Sequence, residues 1–100
     1  MISYGRQSID EDDIASVVDA LRGDWLTQGP SIERFEEAVA QYVGAKYAIA
    51  YSSGTSALHG AAAAAGLGPG DVVATSPLTF MASANAARFV GAKPMLVDIC

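Results

Sequence analysis

A chain of 100 residues is one small domain or a piece of a larger one, and 51% apolar content against 17% charge excludes a disordered segment. The formal charge of −5 and pI near 4.5, with six Lys and Arg scattered along the chain, argue against nucleic acid or an anionic membrane as partner. The single cysteine, Cys100, permits neither an internal disulfide nor a cysteine-based metal site and fits a reducing, cytoplasmic setting. Residues 1–13 lack the apolar core of a signal peptide, and no stretch reaches the roughly 18 apolar residues of a membrane span.

In chain order, Asp10 reads as an N-cap, with Asp12 and Asp13 in the first turn, where acids favour the positive helix end. Ile14, Val17, Val18 and Leu21 then fall on one helical face that should be buried, and the helix should end near Gly23. Residues 24–30, DWLTQGP, form a loop in which Trp25 and Leu26 are expected to plug the core. Pro30 opens a second helix, since a proline at the first position loses no hydrogen bond. Ile32, Phe35, Val39 and Tyr42 mark its inner face, and Gly44 closes it.

Residues 46–65 carry the most informative pattern. The apolar run 47–51 reads as a strand covered on both faces and hence parallel. It passes through Ser52, Ser53, Gly54 and Thr55 into an alanine-rich helix. Free N–H groups at a helix start, where the dipole is positive, make an anion site. Backbone N–H groups near Gly54 and Thr55, with the hydroxyls of Ser53 and Thr55, could hold a phosphate there without a cation. A plain cap at Ser53 or Thr55 explains the same residues, and most helix starts carry no ligand. Ala57, Leu58, Ala61, Ala62 and Ala65 lie at helical spacing, small enough for the helix to approach a sheet closely.

His59, the only histidine, has no acid or cysteine at a ligand spacing and receives no role. Gly66, Gly68 and Gly70 follow a helix and precede a strand, the reverse of a dinucleotide loop. A helix C-cap at Gly66 and a Gly-Pro-Gly-Asp turn account for them. Residues 72–75 form a second strand, 76–80 its exit loop, residues 81 to about 90 a further helix ending at Gly91, and 95–99 a third strand introduced by Pro94. A βαβαβ unit preceded by two helices results. It places the 52–55 turn and the 76–80 loop at carboxyl ends of parallel strands, where open α/β sheets bind ligands. Spacing leaves two roles open for Phe80: core packing, or stacking on a flat ring held beside the anion site.

The segments SIDEDDIASVVDALRGDWLTQGP, FEEAVAQYVGAKYAIAYSSGTSAL and GLGPGDVVATSPLTFMASANAARFVGAKPMLVDI together resemble the DegT-type pyridoxal-phosphate-dependent sugar-nucleotide aminotransferases. The likeness covers residues 2–99. It implies an α/β fold, the N-terminal part of the large domain of the aspartate aminotransferase (fold type I) architecture, with residues 1–100 an incomplete portion of the cofactor-binding domain. Within the family the likeness is strongest to the branch that aminates a UDP-linked 4-keto-6-deoxy-N-acetylhexosamine in pseudaminic acid synthesis. The resemblance assigns Ser53, Gly54 and Thr55 to the cofactor-phosphate turn and Phe80 to the aromatic on the pyridine ring. It places Tyr4, Thr27, Gln28 and Gly29 near the substrate, and it implies a homodimer, a nucleotide-sugar substrate and glutamate as amino donor. Lys46, Lys93, Asp71 and Asp98 match structural positions.

Family chemistry also needs a lysine that binds the cofactor covalently and an acid that keeps its pyridine nitrogen protonated. Both are expected beyond residue 100, so these 100 residues alone should not transaminate. Open strand edges and uncovered apolar faces should make them marginal in isolation. A non-catalytic ligand sensor, a sugar dehydratase with the same cofactor turn and an inactive truncated product are the competing readings.

Overall fold

The computed structural model describes residues 5–99. Four helices and two strands follow in the order α1 (Glu11–Arg22), α2 (Pro30–Val43), α3 (Gly54–Ala64), β1 (Val72–Thr75), α4 (Ala82–Phe89) and β2 (Lys93–Leu96). The chain divides into two compact units, with the boundary after Ile49.

In the first unit, local chemistry sets the helix ends. The Asp10 side chain accepts from the N–H groups of Asp12 and Asp13, and the Asp13 carboxylate accepts from the Asp10 N–H, a reciprocal box that satisfies donors an open helix start leaves bare. Gly23 ends α1 and Pro30 opens α2, as the sequence predicts. Gly44 closes α2 at φ 68, so that the next N–H, on Ala45, returns 2.9 Å to the Ala40 carbonyl.

The expected apolar faces are present but uncovered. No residue of α1 is buried, and Ile14, Val17, Leu21, Ile32, Phe35 and Tyr42 are all exposed; Ala40 is the buried residue of α2. Trp25 and Leu26 are exposed too, at 67% and 70%, rather than plugging a core. Periodicity fixes which face of a helix is apolar, whereas burial requires a second element across it, and neither α1 nor α2 has an extensive packing partner among the described residues.

In the second unit β1 and β2 pair in parallel, Val72 with Lys93 through Thr75 with Leu96, and α4 forms the crossover between them. The helix packs on both strands and on α3. The core is alanine: Ala62, Ala82, Ala86, Ala87 and Ala92 are buried, with Ala87 fully so. Small side chains bring backbones close, as expected, but the partner of α3 is α4 rather than the sheet. Both helices leave through the same device. Leu67 N–H returns to Ala62 O (3.2 Å) and Ala92 N–H to Ala87 O (2.9 Å), over left-handed Gly66 and Gly91. The Gly-Pro-Gly-Asp turn forms as expected, with Gly70 at φ 100, Asp71 N–H on Gly68 O, and the Asp71 carboxylate accepting from Gly68 N–H at 2.8 Å.

Two strand expectations need correction. Residues 47–51 do not join the sheet, which has two strands and not the three of a βαβαβ unit. An apolar β-prone run becomes a strand only when it joins a ladder; β1 and β2 pair with each other, each keeps an outer edge, and 47–51 joins neither. Pro94 lies inside β2 rather than before it. Lys93 and Val97 donate to Asp71 O and Thr75 O, both at 2.9 Å. Alternate residues face the same way, so the missing Pro94 N–H falls on the side away from β1, where a proline removes no bond to β1.

Candidate functional site

The α3 start is built by Ser53. Its extended backbone (φ −160, ψ 159) turns the chain, and its hydroxyl oxygen accepts from the Ser56 N–H at 3.2 Å. That bond satisfies the third helical N–H. The first two, on Gly54 and Thr55, have no intrahelical acceptor by position and stand at the positive end of the helix. A Cβ built on Gly54 would meet no atom within 4 Å, so protein packing alone does not demand glycine there.

Beyond these donors opens a cleft of about 680 Å³. It is lined by Gly54, Thr55, Ala57, Leu58 and Ala61 of α3 and by Phe80, Ala82 and Ser83 from the loop after β1 and the start of α4. Phe80 reaches it from the loop that leaves the carboxyl end of β1, and the residue is 73% exposed. It shares that exposure with its neighbours Leu78 and Met81, so burial does not separate the two roles left open by spacing. The loop is pinned locally: Leu78 N–H donates to the Ser76 hydroxyl at 3.0 Å, and the Thr79 and Ser83 hydroxyls lie 3.0 Å apart, tying the loop to the first turn of α4.

A feature not foreseen from spacing is the Tyr51–Gly60 contact. A methyl group on Gly60 would collide with the Tyr51 hydroxyl and ring, so the missing side chain of α3 is what admits the ring of the residue preceding the turn. A tyrosine paired with a glycine nine positions on was the available signal, but only the three-dimensional path brings them together.

Of the sequence-derived site residues, Gly54, Thr55 and Phe80 line one cleft, and Ser53, the cap immediately before them, is not itself a lining residue. Thr27, Gln28 and Gly29 belong to the first unit. There Gln28 holds a left-handed backbone (φ 52), uncommon for a residue with a side chain, and a Cβ on Gly29 would lie 2.5 Å from the Trp25 Cβ. The loop is thus folded over by Trp25. Tyr4 lies outside the described residues. Lys46 places its ammonium 5.1 Å from the Tyr47 ring centroid, and Lys93 begins β2. Among the described residues no cluster of His, Cys, Asp or Glu could hold a metal ion, and no helix is long and apolar enough to cross a membrane.

A helix start with free N–H donors and an aromatic ring that line the same apolar cleft suit a flat heterocycle carrying a phosphate. The comparisons agree in kind. The family model for DegT/DnrJ/EryC1/StrS aminotransferases matches residues 7–100. This chain belongs to that family. It is 44% identical over 98 residues to the spore coat polysaccharide biosynthesis protein SpsC of Bacillus subtilis, covering 98% of this chain and 25% of that protein. It is 46% identical over 99 residues to the UDP-4-amino-4,6-dideoxy-N-acetyl-beta-L-altrosamine transaminase of Campylobacter jejuni, covering 99% of this chain and 26% of that protein. In three dimensions it matches the putative sugar aminotransferase Spr1654 of Streptococcus pneumoniae, solved in PMP and PLP forms, with TM-score 0.86 and 34% identity over 99% of this chain and 25% of that one. The fold is therefore that of the pyridoxal-phosphate-dependent aminotransferases, and the chain spans about a quarter of the length of the relatives it matches.

Proposed function

We propose that these residues form the N-terminal part of the large domain of a pyridoxal 5′-phosphate-dependent aminotransferase that transfers an amino group from glutamate to a UDP-linked 4-keto-6-deoxy-N-acetylhexosamine, as in pseudaminic acid synthesis. The family assignment and the Campylobacter relative support the substrate class. The single observation that carries the reading is the convergence of the Gly54 and Thr55 donors with Phe80 on one cleft.

In this reading the N–H groups of Gly54 and Thr55 and the hydroxyls of Ser53 and Thr55 hold the phosphate, and the dianion is stabilised by the helix start without a cation. Phe80 would supply the aromatic surface for the pyridine ring, and Ala57, Leu58 and Ala61 would give the cofactor an apolar wall. Bound there, the cofactor would supply an electron sink for amino-group transfer. The lysine that handles that proton and the acid facing the pyridine nitrogen come from residues beyond 100; Lys46 and Lys93 do neither. The family resemblance assigns Thr27, Gln28 and Gly29, and Tyr4 outside the described residues, to the sugar nucleotide. The complete enzyme is a cytoplasmic homodimer.

The test uses the full-length protein. Gly54→Leu adds bulk where the fold itself leaves room, and Thr55→Val removes one hydroxyl without changing shape. Each should weaken pyridoxal phosphate binding in an absorbance titration, Thr55→Val by roughly ten- to a hundredfold, the worth of one hydrogen bond to a charged group. Undiminished cofactor affinity in the double variant would overturn the proposal.

A further inference from the structure

Ser56 does not line the cleft, yet it makes two contacts to the same atom. Its N–H donates to the Ser53 hydroxyl oxygen at 3.2 Å, and its own hydroxyl oxygen lies 3.1 Å from that oxygen. A serine hydroxyl has one proton and two lone pairs. The contact between the two hydroxyls has two polarities with opposite consequences. If Ser53 donates to Ser56, Ser53 keeps no proton for a ligand. If Ser56 donates, its N–H and O–H fill both Ser53 lone pairs. The Ser53 proton is then left for the remaining direction, away from Ser56.

We propose that Ser56 is a positioning residue of the phosphate turn: its hydroxyl donates to Ser53 and so commits the Ser53 proton to the phosphate. The inference rests on the cofactor reading above. A phosphate dianion accepts hydrogen bonds and donates none, so its arrival selects the polarity in which Ser53 is the donor to it. The same Ser56 N–H keeps Ser53 folded over the first turn, so the cap and the hydroxyl relay share one oxygen without competing for its proton. Ser56 acts through Ser53 and makes no contact with the ligand itself.

Apo full-length protein is titrated with pyridoxal 5′-phosphate and, separately, with pyridoxal, which has the same ring and aldehyde but no phosphate. Ser56→Ala keeps the backbone N–H, and with it the cap, while losing the hydroxyl. The expected result is a loss of about three- to tenfold in affinity for pyridoxal phosphate with pyridoxal unchanged, because one charged-acceptor bond loses its orientation rather than its donor. Ser56→Thr, which retains the hydroxyl, should restore the affinity, and Ser56→Ala should add nothing in a Ser53→Ala background. Equal losses for both ligands, no loss for either, failed rescue by threonine, or a full effect persisting without the Ser53 hydroxyl would overturn the proposal. Thr55→Val separates this from the underlying reading. If it weakens pyridoxal phosphate selectively while Ser56→Ala does not, only the role of Ser56 falls; if neither is selective, the phosphate does not sit at this turn.

Discussion

The two units of this chain reach regular structure by different routes. α1 and α2 are specified by their ends: a reciprocal aspartate box, an opening proline and a left-handed glycine, with Ala40 as their buried side chain. α4 has no side-chain cap at its start and only eight residues, yet it buries Ala82, Ala86 and Ala87 against the parallel pair and α3. Short isolated helices are marginal in water, so a helix of that length stands on packing, while the first two owe more to local chemistry. The cleft with the candidate phosphate donors belongs to the packed unit, where Phe80 and Thr55 are held by elements braced on a shared core.

Three substitutions sharpen or break this contrast, each read by amide hydrogen exchange in the full-length protein. Ala87→Leu forces extra volume into a site with no exposure and should cost about 1–3 kcal/mol, with protection lost together across α4, β1 and β2. Loss confined to α4 would show that the strands do not depend on its packing. Asp10→Ala removes the side chain that satisfies two α1 donors and should cost about 1 kcal/mol, with faster exchange in the first turns of α1 and no change in β1. An equal response in β1 would mean that α1 is not locally specified. Ser16→Ala should have the smallest effect and the opposite sign. Its hydroxyl back-bonds to the Asp12 carbonyl at 2.8 Å inside the helix, and replacing it with the best helix former should stabilise α1 by about 0.3–0.5 kcal/mol. Faster exchange instead would show that the back-bond supports the helix.

Much of the site was legible in advance because its pieces are local. Ser53 before an apolar helical run announces a helix start, and a helix start announces free N–H groups at Gly54 and Thr55. The place of Phe80 followed from a topological rule, the loop at the carboxyl end of a parallel strand. The Tyr51–Gly60 contact and the double engagement of Ser53 by Ser56 were not legible, since both depend on where side chains meet after the chain has turned. The run 47–51 misled for a related reason: its composition is that of a strand, but a ladder belongs to two segments at once. Trp25 is apolar yet exposed, because burial needs a covering element that a residue's own character does not supply.

What the amino-acid order alone determined are the features that a few neighbouring residues settle among themselves: the start of α1 at its aspartate box, the opening of α2 at Pro30 and its close at Gly44, the Gly68 to Asp71 turn, and the donors at the head of α3. Tertiary structure decided which strands pair, that α3 packs on α4, which alanines are buried, and that Phe80 lines the same cleft as Thr55. The physical reason is range. Capping and turn geometry act over three or four residues, whereas pairing and burial need a second surface that sequence proximity does not supply.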